Sequence, residues 1–152
     1  MGQFVNPGNG AFQVALNSEI YVDETGLLEY TNKVMDTTAK FICNSRPRRF
    51  GKTITADMLT AYYCRSCDSE RMFSGLEISK SPEFKKYLNA YDVIHLDIQW
   101  CMESAEGAEH VLSYISERTI AELREIYSRE LPEEIRTLPE ALSKIHMATG
   151  RK

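Results

Sequence analysis

No apolar run in the 152 residues approaches the roughly 20 that a membrane-spanning helix requires, so no membrane role is expected. The N-terminus, MGQFVNPGNGAF, has no basic stretch leading into an apolar one, and no secretory signal is expected either. Gly2 invites a myristoylation reading, but Asn6 stands where that signal wants Ser or Thr. A basic excess is also lacking: 18 Lys and Arg face 22 Asp and Glu, for a net charge of -4. That balance argues against a general nucleic-acid binder. Cysteine is sparse, with Cys43, Cys64, Cys67 and Cys101 the only four. Without an export signal these read as reduced thiols in a cytoplasmic protein. Low-complexity tracts and internal repeats are missing as well. What remains, 43% hydrophobic and 26% charged, suits one globular domain with a real core.

The apolar spacing is informative along most of the chain. After a Gly/Asn/Pro-rich lead, EIYVDET (residues 19–25) reads as a short extended piece. Leu27, Leu28, Tyr30 and Val34 then recur at near-helical intervals. KFIC (residues 40–43) is a short apolar run before a turn, which suits a buried parallel strand. Ile54, Met58, Leu59 and Tyr62 predict a helix from Thr53 that ends near residues 64–68. SPEFKKYL predicts a short helix with Pro82 in its first turn. DVIHLDIQW (residues 92–100) is the second strand candidate. Val111, Ile115, Leu123 and Ile126 mark a long amphipathic helix. A last helix runs from Leu138 to Met147, after the break at Leu131 and Pro132. Strands alternating with helices predict an α/β fold with a parallel sheet.

The positive charge is local. Arg46, Arg48, Arg49 and Lys52 fall within SRPRRFGKT (residues 45–53), and no acid interrupts them. The tail Gly51-Lys52-Thr53 closes the phosphate-loop pattern G-x-x-x-x-G-K-[ST], although Arg46 and Pro47 replace its opening. A phosphate cradle needs backbone N–H groups converging ahead of a helix N-terminus. It also needs a lysine for the terminal phosphates and a hydroxyl for Mg²⁺. A strand, Gly51, Lys52, Thr53 and a helix supply these parts in order. Pro47 has no N–H, but it lies upstream of the arc from Phe50 to Thr53. A surface turn of solvated arginines is the bland alternative.

YVDET (residues 21–25), FICNSRPRRFGKT (41–53) and MLTAYY (58–63) together resemble the AAA-ATPase-like family of bacteria and some archaea. Its hallmarks are a Y-V-D-K-T element and an R-P-R-R-F-G-K-[ST] loop. MFSGLEI and YDVIHLDI resemble its next landmarks, so the similarity spans nearly the whole chain. The resemblance implies a three-layer αβα domain of P-loop type. Residues 1–36 would form a lead segment with the YVDET element, and 37–152 the N-terminal part of the ATPase domain. It further implies that Arg46, Pro47, Arg48, Arg49, Phe50, Gly51, Lys52 and Thr53 bind ATP. Lys52 would serve catalysis and Thr53 would hold Mg²⁺. Tyr21, Asp23 and Thr25 match the upstream element, with Glu24 in place of the usual lysine.

One departure concerns the carboxylates that hold Mg²⁺ and polarise the attacking water. Asp97 ends VIHLDI, but Ile98 and Gln99 follow where a second acid is wanted. In the family the Asp-Glu strand comes later, after a segment resembling HMATGRK. The chain is therefore expected to be truncated before that strand, to hydrolyse ATP very weakly alone, and to self-associate through exposed sheet edges. Asp97 is either a direct Mg²⁺ ligand or a structural carboxylate. Cys64-Arg65-Ser66-Cys67 has zinc or redox spacing, yet no second pair completes a site, so ordinary thiols are expected. His95, His110 and His146 read as structural, Trp100 and Phe84 as core, and the acids of residues 130–140 as a solvated face. Two other functions stay open: a nucleic-acid module gripping phosphates through the arginine loop, and a non-catalytic interaction remnant.

Overall fold

The computed structural model describes residues 2–47, 49–105 and 107–151. They divide into two compact units, one of Gly8–Val93 and one joining the residues up to Pro7 with those from Ile94 onward.

The first unit is built on helices: α1 (Gly10–Leu16), α2 (Gly26–Val34), α3 (Lys52–Tyr63), α4 (Glu70–Phe73), a 3-10 turn at Glu77–Lys80, and α5 (Phe84–Tyr87). Thr55, Met58 and Tyr62 recur on one face of α3 and turn it inward, with α1 packed alongside. Phe12 of α1 stacks on Phe73 at 5.2 Å, and Tyr62 meets Phe73 edge-on at 5.3 Å. The buried tyrosine hydroxyls are satisfied internally. Tyr63 donates to Asn32 Oδ1 at 2.7 Å, and Tyr62 donates to the Phe84 carbonyl at 3.1 Å.

The C-terminal end of α3 is locked by one asparagine. Asn89 sits at φ +53°, a region Asn tolerates, and its amide donates to the carbonyls of Ala61 and Cys64. Its own Oδ1 accepts from the Ser69 backbone N–H at 3.0 Å. Carbonyls that a helix end would leave unpaired are thereby met by a side chain. The N-terminal end of α3 is left facing the loop 44–51.

The second unit holds α6 (Ile98–Ser104), a 3-10 turn at Ala108–His110, α7 (Val111–Ile126) and α8 (Leu138–Thr149). Val111, Ile115, Thr119 and Leu123 line the inner stripe of α7, and Ala141 and Ile145 that of α8. Leu131 and Ile135 turn into this core while Glu133, Glu134 and Glu140 stay exposed, as expected of the acidic stretch. The N-terminal segment is pinned to α7. The Glu122 carboxylate accepts from the backbone N–H groups of Gln3, Phe4 and Val5, at 3.1, 2.8 and 2.8 Å.

The expected three-layer αβα fold with a parallel sheet is corrected by the structure. Among the described residues, β pairing is confined to two isolated bridges, Val5 with Ile94 (antiparallel) and Cys64 with Tyr91 (parallel). A strand persists only where a neighbour takes up its N–H and C=O groups. Residues 40–43 have no such neighbour, and Phe41 is 86% exposed where a buried strand was expected. The second candidate is interrupted from within. Asp97 accepts the Trp100 backbone N–H at 3.0 Å and so caps α6, converting the end of DVIHLDIQW into helix. The expectation of exposed sheet edges falls with the sheet. Trp100, expected in the core, is 38% exposed and meets Phe4 edge-on; Phe84 is buried as expected.

Candidate functional site

The helix expected from Thr53 begins one residue earlier: α3 starts at Lys52, with Gly51 as its N-cap. Gly51 has φ +75°, and a Cβ built on it would meet nothing within 4 Å. Glycine is needed here for its left-handed backbone rather than for close packing. Arg49, two residues earlier, also has a positive φ, +69°, so the chain doubles back tightly before the helix. Within the first turn, Thr55 N–H is the first to find a helical carbonyl, that of Gly51 at 2.9 Å. The amides of Lys52, Thr53 and Ile54 precede it, and a helix leaves such groups for external acceptors. No acidic residue lies in that turn. The helix start is therefore electropositive, and the acid that approaches it, Glu24, comes from outside the helix, its Oε2 3.4 Å from the Thr55 hydroxyl.

Lys52 folds back over the loop. Its Nζ donates to the carbonyls of Arg46 at 2.7 Å and Pro47 at 2.9 Å. Pro47 thus serves as an acceptor, also taking the Phe50 N–H at 3.4 Å. Thr53 is exposed in the first turn, and Phe50 is 64% exposed. Arg48 lies outside the described residues. Arg46 pairs with Glu24, its Nη1 2.6 Å from both carboxylate oxygens. Arg46, Phe50, Gly51 and Lys52 are thus gathered around one end of α3. Asp97 belongs to the other compact unit, where it caps α6.

The YVDET element has a structural role that sequence reasoning left unassigned. Asp23 Oδ1 accepts from the Thr25 backbone N–H at 2.9 Å and from its hydroxyl at 2.6 Å, while Oδ2 accepts the Glu77 N–H at 2.7 Å. The buried Thr25 hydroxyl in turn accepts the Ile78 N–H at 3.1 Å. One carboxylate thereby joins the start of α2 to the 3-10 turn at Glu77–Lys80. Partial burial pushes the Asp23 carboxyl upward, but the Thr25 and Glu77 hydrogen bonds outweigh it and hold the group below its ordinary value. Beside it, burial and the charges of Asp23 and Glu24 push the Tyr21 phenol up to about 12.

Between this element, α1 and the loop opens a cavity of about 310 Å³. Ile20, Val22, Phe50, Ile54 and Met58 supply its apolar wall, and Arg46 with Glu24 its charged side. Spacing arguments missed it because its walls come from three separate segments. Glu24 in place of a lysine was the one visible hint.

The remaining chemistry is quiet. Cys64 is buried at the end of α3, its Sγ 3.1 Å from Ser66 Oγ. Burial and the neighbouring Cys64 push the Cys67 thiol up to about 11, far from thiolate reactivity. His146 meets the Arg151 carbonyl through Nδ1 at 2.7 Å. Among the described residues no group of His, Cys, Asp and Glu could hold a metal ion by itself, and no helix is long and apolar enough to cross a membrane.

Comparison with known families matches residues 12–152 to the AAA-ATPase-like family, whose description is predicted AAA-ATPase. No curated protein and no solved structure matches the chain. The family match covers the YVDET element, the arginine loop, α3 and most of both compact units, and by that extent the chain belongs to the AAA-ATPase-like family.

Proposed function

We propose that the chain binds ATP, with Mg²⁺, at residues 46–53 and the N-terminus of α3, as the nucleotide-binding part of an ATPase. One observation carries this reading: the Lys52 ammonium and the unpaired first-turn amides of an acid-free helix start lie together at a left-handed Gly51. Lys52 rests on two neutral carbonyls. A phosphate oxygen is a stronger acceptor for an ammonium group and would draw it off them. Lys52 would then neutralise charge on the terminal phosphates, its part in catalysis, and the amides of residues 51–54 would hold the inner ones. Among the described residues, Arg46 and Arg49 are the loop's guanidinium groups.

Magnesium keeps most of its waters and takes only one or two protein oxygens beside the phosphates. The exposed Thr53 hydroxyl, in the first turn of α3, fits that share. When bound, the ion would offset phosphate charge. For Asp97 the geometry supports the helix cap. Hydrolysis also needs a carboxylate that polarises water. The carboxylate closest to the loop's arginines, Glu24, is engaged with Arg46. Turnover by this chain is accordingly expected to fall far below about 1 s⁻¹, the slow end of ordinary enzymes.

Calorimetric titration of wild type and Lys52→Ala with ATP, with and without Mg²⁺, tests the reading. Saturable, Mg²⁺-sensitive binding that weakens about tenfold or more in Lys52→Ala is expected. Absence of ATP binding, alongside Mg²⁺-independent and steeply salt-dependent binding of nucleic acid, would overturn it in favour of the backbone-gripping alternative.

A further inference from the structure

We propose that the cavity beside the loop receives the base and sugar of the nucleotide, and that it accepts purines with little discrimination between them. The inference rests on the phosphate-binding reading and extends it to the other end of the ligand. Ile20, Val22, Phe50 and Ile54 are all large, apolar and exposed, yet they line one concavity. Clustered exposed apolar surface around a hollow marks a binding site. This hollow shares Gly51, Phe50 and Arg46 with the loop, so its apolar wall runs directly into the cationic helix start. A flat apolar head joined to an anionic tail is the ligand that such a surface complements. A volume of about 310 Å³ lies at the lower end of the range for small-ligand pockets, roughly 300–1,000 Å³. It admits a single nucleoside.

Weak discrimination follows from the state of the wall's polar groups. Glu24 is held by Arg46, the Thr55 hydroxyl donates to the Gly51 carbonyl at 3.1 Å, and the Ser18 hydroxyl points to the Val14 carbonyl. Groups already engaged in this way do not read the edge of a base, and the Tyr21 phenol, also in the wall, can donate or accept and so meets either purine edge. Apolar contact alone separates similar ligands by about 10- to 200-fold at most, whereas dedicated hydrogen-bond readout reaches about 10⁴.

Calorimetry with ATP, GTP and inorganic tripolyphosphate on the intact chain decides the matter. In wild type, ATP and GTP should bind within about tenfold of each other, and tripolyphosphate about tenfold or more weaker than either. Ala15→Trp, which fills the cavity from α1, should bring ATP down to the tripolyphosphate level while leaving tripolyphosphate itself unchanged. Val22→Ala, at an exposed position of the cavity wall outside the loop, should give the same pattern in weaker form. Lys52→Ala should instead weaken all three ligands together. Equal binding of ATP and tripolyphosphate, unaffected by Ala15→Trp and Val22→Ala, would overturn the nucleoside site and leave the phosphate site standing. A GTP deficit beyond about a hundredfold would overturn the weak discrimination. No binding of any of the three would remove the phosphate site and this inference with it.

Discussion

Arg46 and Glu24 meet in a two-point ion pair, with Nη1 of the arginine 2.6 Å from each oxygen of the carboxylate. The two residues are 22 apart in sequence, and their contact ties the YVDET element to the cationic loop. Both side chains are about one-third exposed, and pairs of that kind are worth no more than about 1 kcal/mol. The pair uses only Nη1, so the other N–H groups of Arg46 can take an incoming phosphate while Glu24 stays in place and offsets part of the arginine's charge. Glu24→Gln should tighten ATP binding by about three- to fivefold, the equivalent of that pair. Arg46→Ala should weaken it by a similar factor or more. Unchanged affinity in Glu24→Gln would mean that Arg46 stays out of the site.

Gly51 supplies a second test. Its left-handed φ of +75° has open space before it, so a methyl group there would suffer only the backbone penalty. Gly51→Ala should lower stability by about 1–2 kcal/mol. Asn tolerates this region better, and Gly51→Asn should fall between glycine and alanine. Thermal unfolding of the three proteins gives the order. A valine variant as stable as wild type would show that the loop relaxes freely to another backbone.

Asp23 predicts a pH dependence. Its folded-state carboxyl is held below the ordinary value of 3.8 by the Thr25 and Glu77 hydrogen bonds. A depressed folded-state value contributes stability that is complete above the unfolded value. That contribution is lost as pH falls through about 3.8 and on toward the folded-state value. Asp23→Asn should flatten the acid limb of the stability profile. At neutral pH, Asp23→Ala should lower stability by about 1–2 kcal/mol, the range for a lost cap. Urea titrations between pH 2.5 and 7 would show both, and an unchanged acid limb in Asp23→Asn would assign acid lability to other carboxylates.

These tests turn on contacts that differ in how far the sequence exposed them. Val111, Ile115 and Leu123 mark their helix by interval alone, because a helix carries its hydrogen bonds within the segment. The start of α3 at Lys52 was legible for the same reason, with Gly51 as the break before it. The strand reading of residues 40–43 failed because a short apolar run says nothing about whether a partner strand lies beside it. α1 was missed inside a Gly/Asn/Pro-rich lead, although Phe12 buries itself completely. Glu24 with Arg46, and Asp23 with Glu77, are long-range pairings that no periodicity encodes. The loop's letters were readable; the cavity beside it was not.

The last prediction concerns Gly2 and Glu122, where a side chain replaces the pairing a strand would have provided. Three successive backbone amides, Gln3 to Val5, converge on the Glu122 carboxylate, using both of its oxygens. A glutamine keeps one accepting oxygen and presents an NH₂ in place of the other. Glu122→Gln should therefore cost about 1.5–3 kcal/mol, the range for hydrogen bonds to a charged group. Gly2 approaches the same carboxylate so closely that an added Cβ would stand 2.2 Å from Oε2 and 2.7 Å from the Val5 carbonyl oxygen. Gly2→Ala must push the segment off the carboxylate and should destabilise by a comparable amount. Both changes disrupt one contact, so the double variant should be little worse than either single one. Chemical denaturation of the four proteins measures the coupling. Strict additivity would show that Gly2→Ala does not act through the Glu122 carboxylate.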